Sequence, residues 1–571
     1  MMGLENRAGD FRKFMQVFRS PALKQVFIWS KCIRGRVLAI CLLNIIRVFF
    51  SLGLTLVIKG LIDAAVTSEW NALMRFGILL IILILSDTAT GFFLSVIQTR
   101  ASAVFQRRIQ GELIQDIFSK QYPSIKKYHS GELINRVFSD AGVIHSGILG
   151  VLPDLISTIF GFVGAAVILI TLDWKFVVLL LFAGLIGFVL VLLFRKPMKK
   201  RHLRMQKAED RLHAVIQESF ENFRLIKASV SERRIYHRIR GRQTALEEER
   251  VRQGVFSAVM RNSMGLMFDF SWLFCMLWGS VSIFRGELTY GSLAAMLQLI
   301  GRVQGPISQT VGIAGEVYGV AASAERLMEL TELPSETDGD SLKDFDEISI
   351  EEVFFRYEDG EEDVLQNVSC VIHKGDFVAL TGASGEGKTS LFYLLLGIYP
   401  PNKGRIVFRC GISETEACRG TRSLFAYVPQ GNSLFSGTLR ENLTLFTDEA
   451  SDEEIVDALR IACIDSLVSE IGLDAELGER GVGISEGQAQ RVAVARALLS
   501  KAPILLLDES TSALDEDTEA SMLKNISNLR DKTCLIVTHR QAALSICDYR
   551  LHLTDGHLEK KVALSAGQED V

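Results

Sequence analysis

Two segments of the sequence carry residue types that bind phosphate groups and activate water. Residues 382–389 read GASGEGKT, which matches the pattern GxxxxGK[ST]. Glycines let consecutive backbone N–H groups face phosphate oxygens, and the helix that follows adds the positive end of its dipole. We expect Lys388 to contact the β- and γ-phosphates of a nucleotide and Thr389 to ligate Mg²⁺. The predicted nucleotide-binding residues here are Gly382, Ala383, Ser384, Gly385, Glu386, Gly387, Lys388, Thr389 and Ser390.

The second segment, APILLLDES (502–510), is an apolar strand that ends in two carboxylates. Asp508 is placed to hold Mg²⁺ through water, and Glu509 is placed to polarise an attacking water molecule. Acids at the end of a strand also commonly cap the next helix. The glycine-rich loop in the same chain favours the catalytic interpretation.

The elements that position these residues are short apolar strands, each followed by a polar loop. FVAL (377–380) precedes the glycine-rich loop, AYVPQ (426–430) ends in Gln430, and CLIVTH (534–539) ends in His539. Apolar strands alternating with helical segments predict an α/β unit with a parallel sheet.

The order of these features resembles the ATP-binding cassette of ABC transporters. Tyr357 in FFRY is followed by the glycine-rich loop, Gln430, GISEGQ (483–488), the acidic pair, STSALD (510–515) and His539. The resemblance covers about residues 345–560, and LGERG (477–481) is similar to a segment of exporter-type members.

The resemblance implies a role for each matching residue. Tyr357 would stack on adenine, Gln430 would contact Mg²⁺ and the attacking water, and His539 would contact the γ-phosphate. The predicted catalytic residues are Glu509, His539 and Gln430. The predicted metal ligands are Thr389, Gln430 and Asp508. Across a dimer interface, the residues that would reach the opposite subunit are Ser485, Gly487, Gln488 and Asp515.

One position departs from the family pattern, because ISEGQ stands where LSGGQ is usual. Glu486 replaces the first glycine, while Ser485 and Gly487, the expected phosphate contacts, are retained. We expect a functional signature and no degenerate site, which favours a homodimer without excluding a degenerate partner.

The first 330 residues differ in composition from the cassette. A mean hydropathy of +0.24 over 571 residues is high for a wholly soluble enzyme. Six apolar runs are long enough for a hydrocarbon core, which takes about 20 helical residues. They are 37–60, 74–97, 148–172, 174–196, 258–284 and 289–312. They exclude a soluble cassette protein.

Basic residues predict the orientation of these runs. The connections after the second and fourth runs are long and basic, as in RKPMKKRHLR (195–204). The connection between the third and fourth runs, LDW (172–174), is short and contains no Lys or Arg. The long connections and both termini are therefore expected in the cytoplasm of a multi-pass protein of the plasma (inner) membrane. By the resemblance, these connections are helical extensions with docking helices near 128–137 and 218–228.

The predicted fold class is multidomain: an all-α transmembrane domain of six helices, of the ABC exporter type, plus an α/β P-loop NTPase cassette. The predicted domains are an N-terminal cytoplasmic or interfacial segment at 1–36, a transmembrane domain at 37–330, a linker at 331–345 and the cassette at 346–571.

Three charged residues inside the runs are candidates for a substrate cavity. Arg47 and Asp87 lie at similar depth, ~15 Å from the inner boundary, so we expect them to pair or to face an aqueous cavity together. A structural ion pair without a substrate role is the alternative. Asp269 lies among aromatic residues, which line a cavity for a cationic or amphipathic substrate or simply pack against lipid.

The resemblance implies an ATP hydrolase coupled to transport, with ATP and Mg²⁺ as cofactors. The expected working unit pairs this half-transporter with a second copy of itself or a related half-transporter, surrounded by membrane lipids. It would export an unidentified hydrophobic or amphipathic drug, lipid or peptide by alternating access. The alternatives are a lipid or glycolipid flippase and a membrane ATPase with a regulatory role. A net charge of −5 gives no reason to expect nucleic acid.

Overall fold

The computed structural model describes residues 20–562, apart from 359, 432, 448, 479–480 and 530–531. Within helices and strands it leaves undescribed the side chains at 179, 181–188, 190–192, 195–196, 199, 264, 306–314, 542 and 562. Residues 1–19 of the predicted N-terminal segment, part of LGERG and the end of the cassette therefore lie outside the described residues. The chain divides into two units.

The first unit, the helical unit, takes the described residues up to Ile117 together with His129–Glu332. Phe118–Tyr128 and the chain from Leu333 form the second unit, the cassette unit. A short helix before residue 129 therefore belongs with the nucleotide-binding part of the chain rather than with the helices that flank it.

Long helices make up the helical unit because its apolar runs contain few helix breakers. The helices up to residue 332 are, in chain order, α1 (Pro21–Trp29), α2 (Arg34–Val66), α3 (Trp70–Ser119), α4 (Tyr122–Lys126, in the cassette unit), α5 (Ser130–Asn135), α6 (Ala141–Ser146), α7 (Leu152–Leu172), α8 (Trp174–Glu221), α9 (Phe223–Ala228), α10 (Glu232–Phe284) and α11 (Tyr290–Thr331). The π-helical turns Arg136–Asp140 and Gly147–Val151 join α5, α6 and α7.

Four stretches of the described chain are long and apolar enough to cross a membrane: Pro21–Val66, Trp70–Ser119, Ser130–Leu172 and Glu232–Phe284. The fourth predicted run (174–196) lies on α8 and the sixth (289–312) largely on α11, where several side chains fall outside the described residues. The 50 residues of α3 extend about 75 Å, far more than a bilayer core needs. The predicted helical extensions beyond the membrane therefore form.

The cassette unit contains two main sheets. An antiparallel sheet has the order β2 (Leu365–His373), β1 (Glu347–Phe355), β4 (Lys403–Cys410), β5 (Ser413–Glu416). The larger sheet has the order β12 (His557–Val562), β11 (Tyr549–Thr554), β3 (Phe377–Thr381), β10 (Thr533–Val537), β9 (Ile504–Asp508), β6 (Phe425–Val428). A two-stranded sheet joins β7 (Gly437–Thr438) to β8 (Glu476–Leu477).

The helices of the cassette unit after the strand β3 are α12 (Lys388–Leu395), α13 (Leu439–Leu443), α14 (Asp452–Ile461), α15 (Ser466–Ile471), α16 (Glu486–Leu499), α17 (Glu516–Ser527) and α18 (Gln541–Leu544). Every residue of β3, β9 and β10 is buried, as expected for parallel strands covered on both faces. The predicted combination of a helical membrane region and an α/β cassette is confirmed.

The register of the larger sheet brings the predicted site loops to one edge. Strands β3, β10, β9 and β6 are parallel neighbours, and Leu380, Val537, Asp508 and Val428 lie at their carboxyl ends. The loops that follow these four strands carry the glycine-rich segment, His539, Glu509 and Gln430 respectively. Parallel open sheets bind ligands at this edge.

Candidate nucleotide site

The glycine-rich loop turns sharply between β3 and α12. Gly387 has φ +98°, and a Cβ atom there would lie 2.8 Å from Val364 Cγ1, so only glycine fits. Lys388 begins α12, is 6% exposed, and its Nζ donates to the carbonyl oxygens of Gly382 (2.7 Å) and Ala383 (2.8 Å). The ammonium group of Lys388 therefore lies inside the glycine-rich loop and bonds to the backbone at its start.

A carboxylate oxygen of the same loop is enclosed by protein. Oε2 of Glu386 has no hydrogen-bond partner in the described part of the chain. A Cβ built on Gly382 would lie 3.0 Å from this oxygen, which places the carboxylate against the start of the loop. The predicted phosphate-binding loop thus carries a negative charge beside its lysine.

Asp508 is 1% exposed at the end of β9. It accepts hydrogen bonds from Thr389 Oγ1 and from the hydroxyl of Tyr427, both at 3.2 Å. Burial raises the pKa of the Asp508 carboxyl, and these two hydrogen bonds act in the opposite direction. A hydroxyl and a carboxylate side by side are oxygen ligands of the kind that Mg²⁺ prefers, so Thr389 and Asp508 fit that ion.

Glu509, the next residue, has a left-handed backbone with φ +47°. Such a conformation is strained for a residue with a side chain and is often found at functional sites. Nε2 of Gln430 donates to Glu509 Oε2 at 2.6 Å. His539 is exposed beyond the end of β10, at the same edge of the sheet.

Tyr357 lies in a group of aromatic side chains rather than in open solvent. Its hydroxyl shares a hydrogen bond with Ser390 Oγ at 2.8 Å. Its ring contacts Phe355 and Tyr399 edge to face, with centroids 4.8 and 5.3 Å apart, and Lys126 Nζ lies 5.2 Å from its centroid. The ring is thus tied to the helix that carries Lys388.

The predicted signature residues lie at the start of α16. Ser485 caps this helix: its hydroxyl accepts from Gln488 N at 3.2 Å, and its own N–H donates to Gln488 Oε1 at 2.8 Å. Glu486 is exposed in the first turn. Asp515 caps α17 in the same way, accepting from Thr518 N at 2.9 Å, and this hydrogen bond lowers the pKa of Asp515.

Comparison with known proteins agrees with this geometry. Residues 37–307 match the family described as the ABC transporter transmembrane region, and residues 365–512 match the ABC transporter family. The uncharacterized ABC transporter ATP-binding protein YfiB of Bacillus subtilis is 30% identical over 517 residues, 89% of each chain. The chain belongs to the ABC transporter family.

Two other relatives of this ABC transporter carry functional names. The probable multidrug resistance ABC transporter ATP-binding/permease protein YheI of Bacillus subtilis is 28% identical over 471 residues, 80% of each chain. A Lactococcus lactis multidrug resistance ABC transporter ATP-binding and permease protein is 28% identical over 440 residues, 75% of this chain and 74% of the relative.

With both regions in one chain, the protein is an exporter-type half-transporter. As a member of this family it binds ATP and couples ATP hydrolysis to transport, and its apolar helices make it a multi-pass membrane protein. The family typically forms dimers.

Two polar groups of the ABC transporter site, one buried and one half-buried, were not identified from sequence. Gln490, 2% exposed on α16, donates to Ser512 Oγ at 3.3 Å and accepts from Ala513 N at 3.1 Å. It therefore joins the signature helix to the loop after Glu509. The signal that was available is a second glutamine two residues after Gln488, in the first turns of α16.

Arg540 is the second such group, and it follows His539 directly. It donates to the carbonyl oxygens of Leu514 (2.7 Å) and Ser512 (3.0 Å) and to Glu519 Oε2 at 2.8 Å. Glu519 is fully buried, so this ion pair fixes the loop between β9 and α17. An acid four residues after Asp515 and a cation after His539 were the available signals.

The helix α4, which lies just before the predicted docking segment 128–137, contacts other side chains of the cassette unit to which it belongs. The ring of Tyr122 lies 5.9 Å from that of Tyr399, and Lys127 pairs with Glu358 at 2.5 Å. Residues 130–135 belong to the helical unit. Docking by residues near 128–137 stays a prediction. The second predicted segment, 218–228, contains the short helix α9.

The predicted cavity residues are only partly brought together. Arg47 Nε donates to Asp87 Oδ1 at 3.2 Å, so the expected pair forms. Asp269 is exposed on α10, and within the described part of the chain no ion pair joins it to either residue. Arg302 of α11, which was not a candidate, contacts Ser51 on the helix of Arg47.

Proposed function

We propose that this half-transporter exports a hydrophobic or amphipathic substrate by alternating access, driven by ATP binding and hydrolysis. The observation that carries the proposal is the convergence at one sheet edge, where Thr389 meets Asp508 and Gln430 meets Glu509. The names of the multidrug relatives support export of this kind of substrate.

In the proposed mechanism, the glycine-rich loop and Lys388 hold the phosphates of ATP. Thr389, Asp508 and Gln430 would hold Mg²⁺, which would neutralise charge on the phosphates when bound. Glu509 accepts a proton from the attacking water, and Gln430 orients the Glu509 carboxylate through the hydrogen bond between them. His539 contacts the γ-phosphate, and Tyr357 offers a ring to adenine after its neighbours rearrange.

A second copy of the chain completes each site in this proposal. Ser485, Gly487, Gln488 and Asp515 lie at the beginnings of α16 and α17, where helix N-termini favour negative charge. The capping box around Ser485 keeps its hydroxyl at the helix end, close to solvent. Two copies facing each other would place this end over the phosphates bound by the opposite cassette.

The proposed setting is the plasma (inner) membrane, with both termini and the cassette in the cytoplasm. The proposed domains are the N-terminal segment at 1–36, the transmembrane domain at 37–330, the linker at 331–345 and the cassette at 346–571. The helix α4 lies within the second range but belongs to the cassette unit. Closure of two cassettes would reach the membrane helices through α4, because α3 continues without a break from the membrane to Ser119.

The Glu509→Gln variant tests the proposal in reconstituted vesicles. We expect it to bind ATP and form dimers but to lose ATP hydrolysis and vectorial transport, because the amide cannot accept the proton. Glu516→Gln, the same change at an exposed residue of α17, is the control and should behave as the wild type.

Normal turnover in Glu509→Gln contradicts the catalytic assignment. ATP hydrolysis by the wild type with no vectorial movement of any solute indicates a regulatory membrane ATPase instead. Movement of labelled lipid between leaflets, selective for headgroup, identifies the flippase alternative.

A further inference from the structure

Two arginines and one carboxylate, carried by three different helices, lie near one face of α2 inside the helical unit. Arg47 of α2 donates from Nε and Nη2 to the oxygens of Asp87 on α3, over 3.2 and 3.5 Å. Arg302 of α11 contacts Ser51 Oγ. Residues 47 and 51 lie one helical turn apart and therefore share a face of α2. We call Arg47, Ser51, Asp87 and Arg302 the arginine cluster.

The arginine cluster has an excess of positive charge. Its members are two guanidinium groups, one carboxylate and a neutral hydroxyl. Asp87 pairs with Arg47, whereas Arg302 contacts the neutral hydroxyl of Ser51, so one carboxylate stands against two guanidinium groups. Charged side chains in membrane spans are costly and usually retain a partner or face a polar cavity. The cluster therefore favours one further negative group.

The cluster is also open. The side chains of Arg47 and Asp87 are 41% and 38% exposed among the described residues of the single chain. Arg47 is 19 residues before Val66 and Asp87 is 17 residues after Trp70, which puts both about 27 Å from the turn between α2 and α3. The two charges thus lie at the same depth, toward the cytoplasmic side of the spans.

We propose that the arginine cluster binds the phosphate or carboxylate group of an anionic amphiphile that the protein transports. This inference rests on the proposed export function and narrows its substrate class. Guanidinium groups bind both kinds of oxyanion through paired hydrogen bonds. Asp87 competes with the substrate for Arg47, so removing Asp87 and removing Arg302 have opposite effects.

The test uses the full-length protein in phosphatidylcholine nanodiscs. Phosphatidylglycerol is the lipid probe, dodecyl phosphate is the probe that enters from water, and dodecyltrimethylammonium is the cationic comparison. The readouts are the ATPase rate relative to each variant's own basal rate and the rise in Tm on binding, which does not require catalysis.

We expect the anionic probes to raise the ATPase rate and the Tm of the wild type. A response to phosphatidylglycerol indicates a lipid as the source of the anionic group, and a response to dodecyl phosphate indicates a substrate that enters from water. Arg302→Gln raises the half-maximal concentration about tenfold, since a charge-assisted hydrogen bond is lost. Arg302→Lys retains most of the response, and Asp87→Asn lowers the half-maximal concentration. Arg261→Gln, on α10 outside the cluster, matches the wild type.

The inference is overturned if no anionic probe changes the rate or Tm of the wild type, or if Arg302→Gln responds as the wild type does. It is also overturned if Asp87→Asn weakens the response, since Asp87 is then a structural partner only. The two proposals fail separately. If the wild type moves a lipophilic cation, Glu509→Gln does not, and no anion changes the rate or Tm, then export stands and only the anionic substrate is ruled out. If an anion raises the Tm but no solute is transported, export is ruled out, and the cluster is then an anion-binding site whose ligand is not transported.

Discussion

The side-chain amide of Gln430 donates to the carboxylate of Glu509 at 2.6 Å, although 78 residues separate them in the chain. They follow the neighbouring parallel strands β6 and β9, whose carboxyl ends lie side by side. The hydrogen bond holds one oxygen of Glu509 and leaves the other for a water molecule.

Removing this hydrogen bond tests its role in positioning. Gln430→Ala should lower the ATPase rate about a hundredfold, which is within the rate contribution that a correctly positioned general base makes. ATP binding should change little. Steady-state kinetics and nucleotide-binding titration separate the two effects. Gln243→Ala, exposed on α10, is the control. A normal rate in Gln430→Ala would show that Glu509 is oriented without it.

Asp508→Asn should stabilise the nucleotide-free protein while abolishing Mg²⁺-dependent hydrolysis. Burial raises the pKa of Asp508, so the native state holds its proton more tightly than the unfolded state. Stability conferred by this group therefore falls as pH rises from the ordinary value of 3.8 through the raised native value, and the charged form remains costly above it.

Thermal unfolding across pH, compared between wild type and Asp508→Asn, measures this effect. We expect the variant to be more stable at neutral pH by on the order of 1 kcal/mol, the scale of one desolvated polar group. The difference should shrink as pH falls. A variant that is less stable at neutral pH contradicts the account.

Glu486→Gly should lower the KM for ATP several-fold. The acid sits in the first turn of α16 beside the serine proposed to meet the opposite phosphate, where its charge repels the nucleotide. Glu516→Gly removes an acid from the first turn of α17 and controls for the loss of helix stability, about 0.5 kcal/mol. An unchanged KM in Glu486→Gly indicates that the carboxylate points to solvent.

Tyr122→Ala should uncouple transport from hydrolysis. The ring of Tyr122 contacts Tyr393 and Tyr399 on the cassette, with centroids 6.4 and 5.9 Å apart, contacts worth about 1 kcal/mol each. Basal ATPase should persist, whereas transport per ATP hydrolysed falls several-fold in vesicles. Tyr236→Ala, exposed on α10, is the matched control. Full coupling in Tyr122→Ala would assign docking to other residues.

Local features of the sequence were sufficient for the fold class and for the core of the site. An apolar run long enough for a bilayer forms a helix wherever it occurs in the chain, because every backbone hydrogen bond is internal to the segment. The glycine-rich loop also depends only on local sequence, because its glycines, its lysine and the start of the helix all lie within the eight residues 382–389.

Contacts between distant parts of the chain came only from the tertiary structure. The docking of α4, the arrival of Arg302 beside Ser51, and the placement of Gln490 and Arg540 around the loop after Glu509 each depend on how elements pack and on the register of the sheet. Hydropathy and spacing assign a residue to an element and a face. They do not assign its neighbour on another element, because that depends on packing of side chains separated by hundreds of residues.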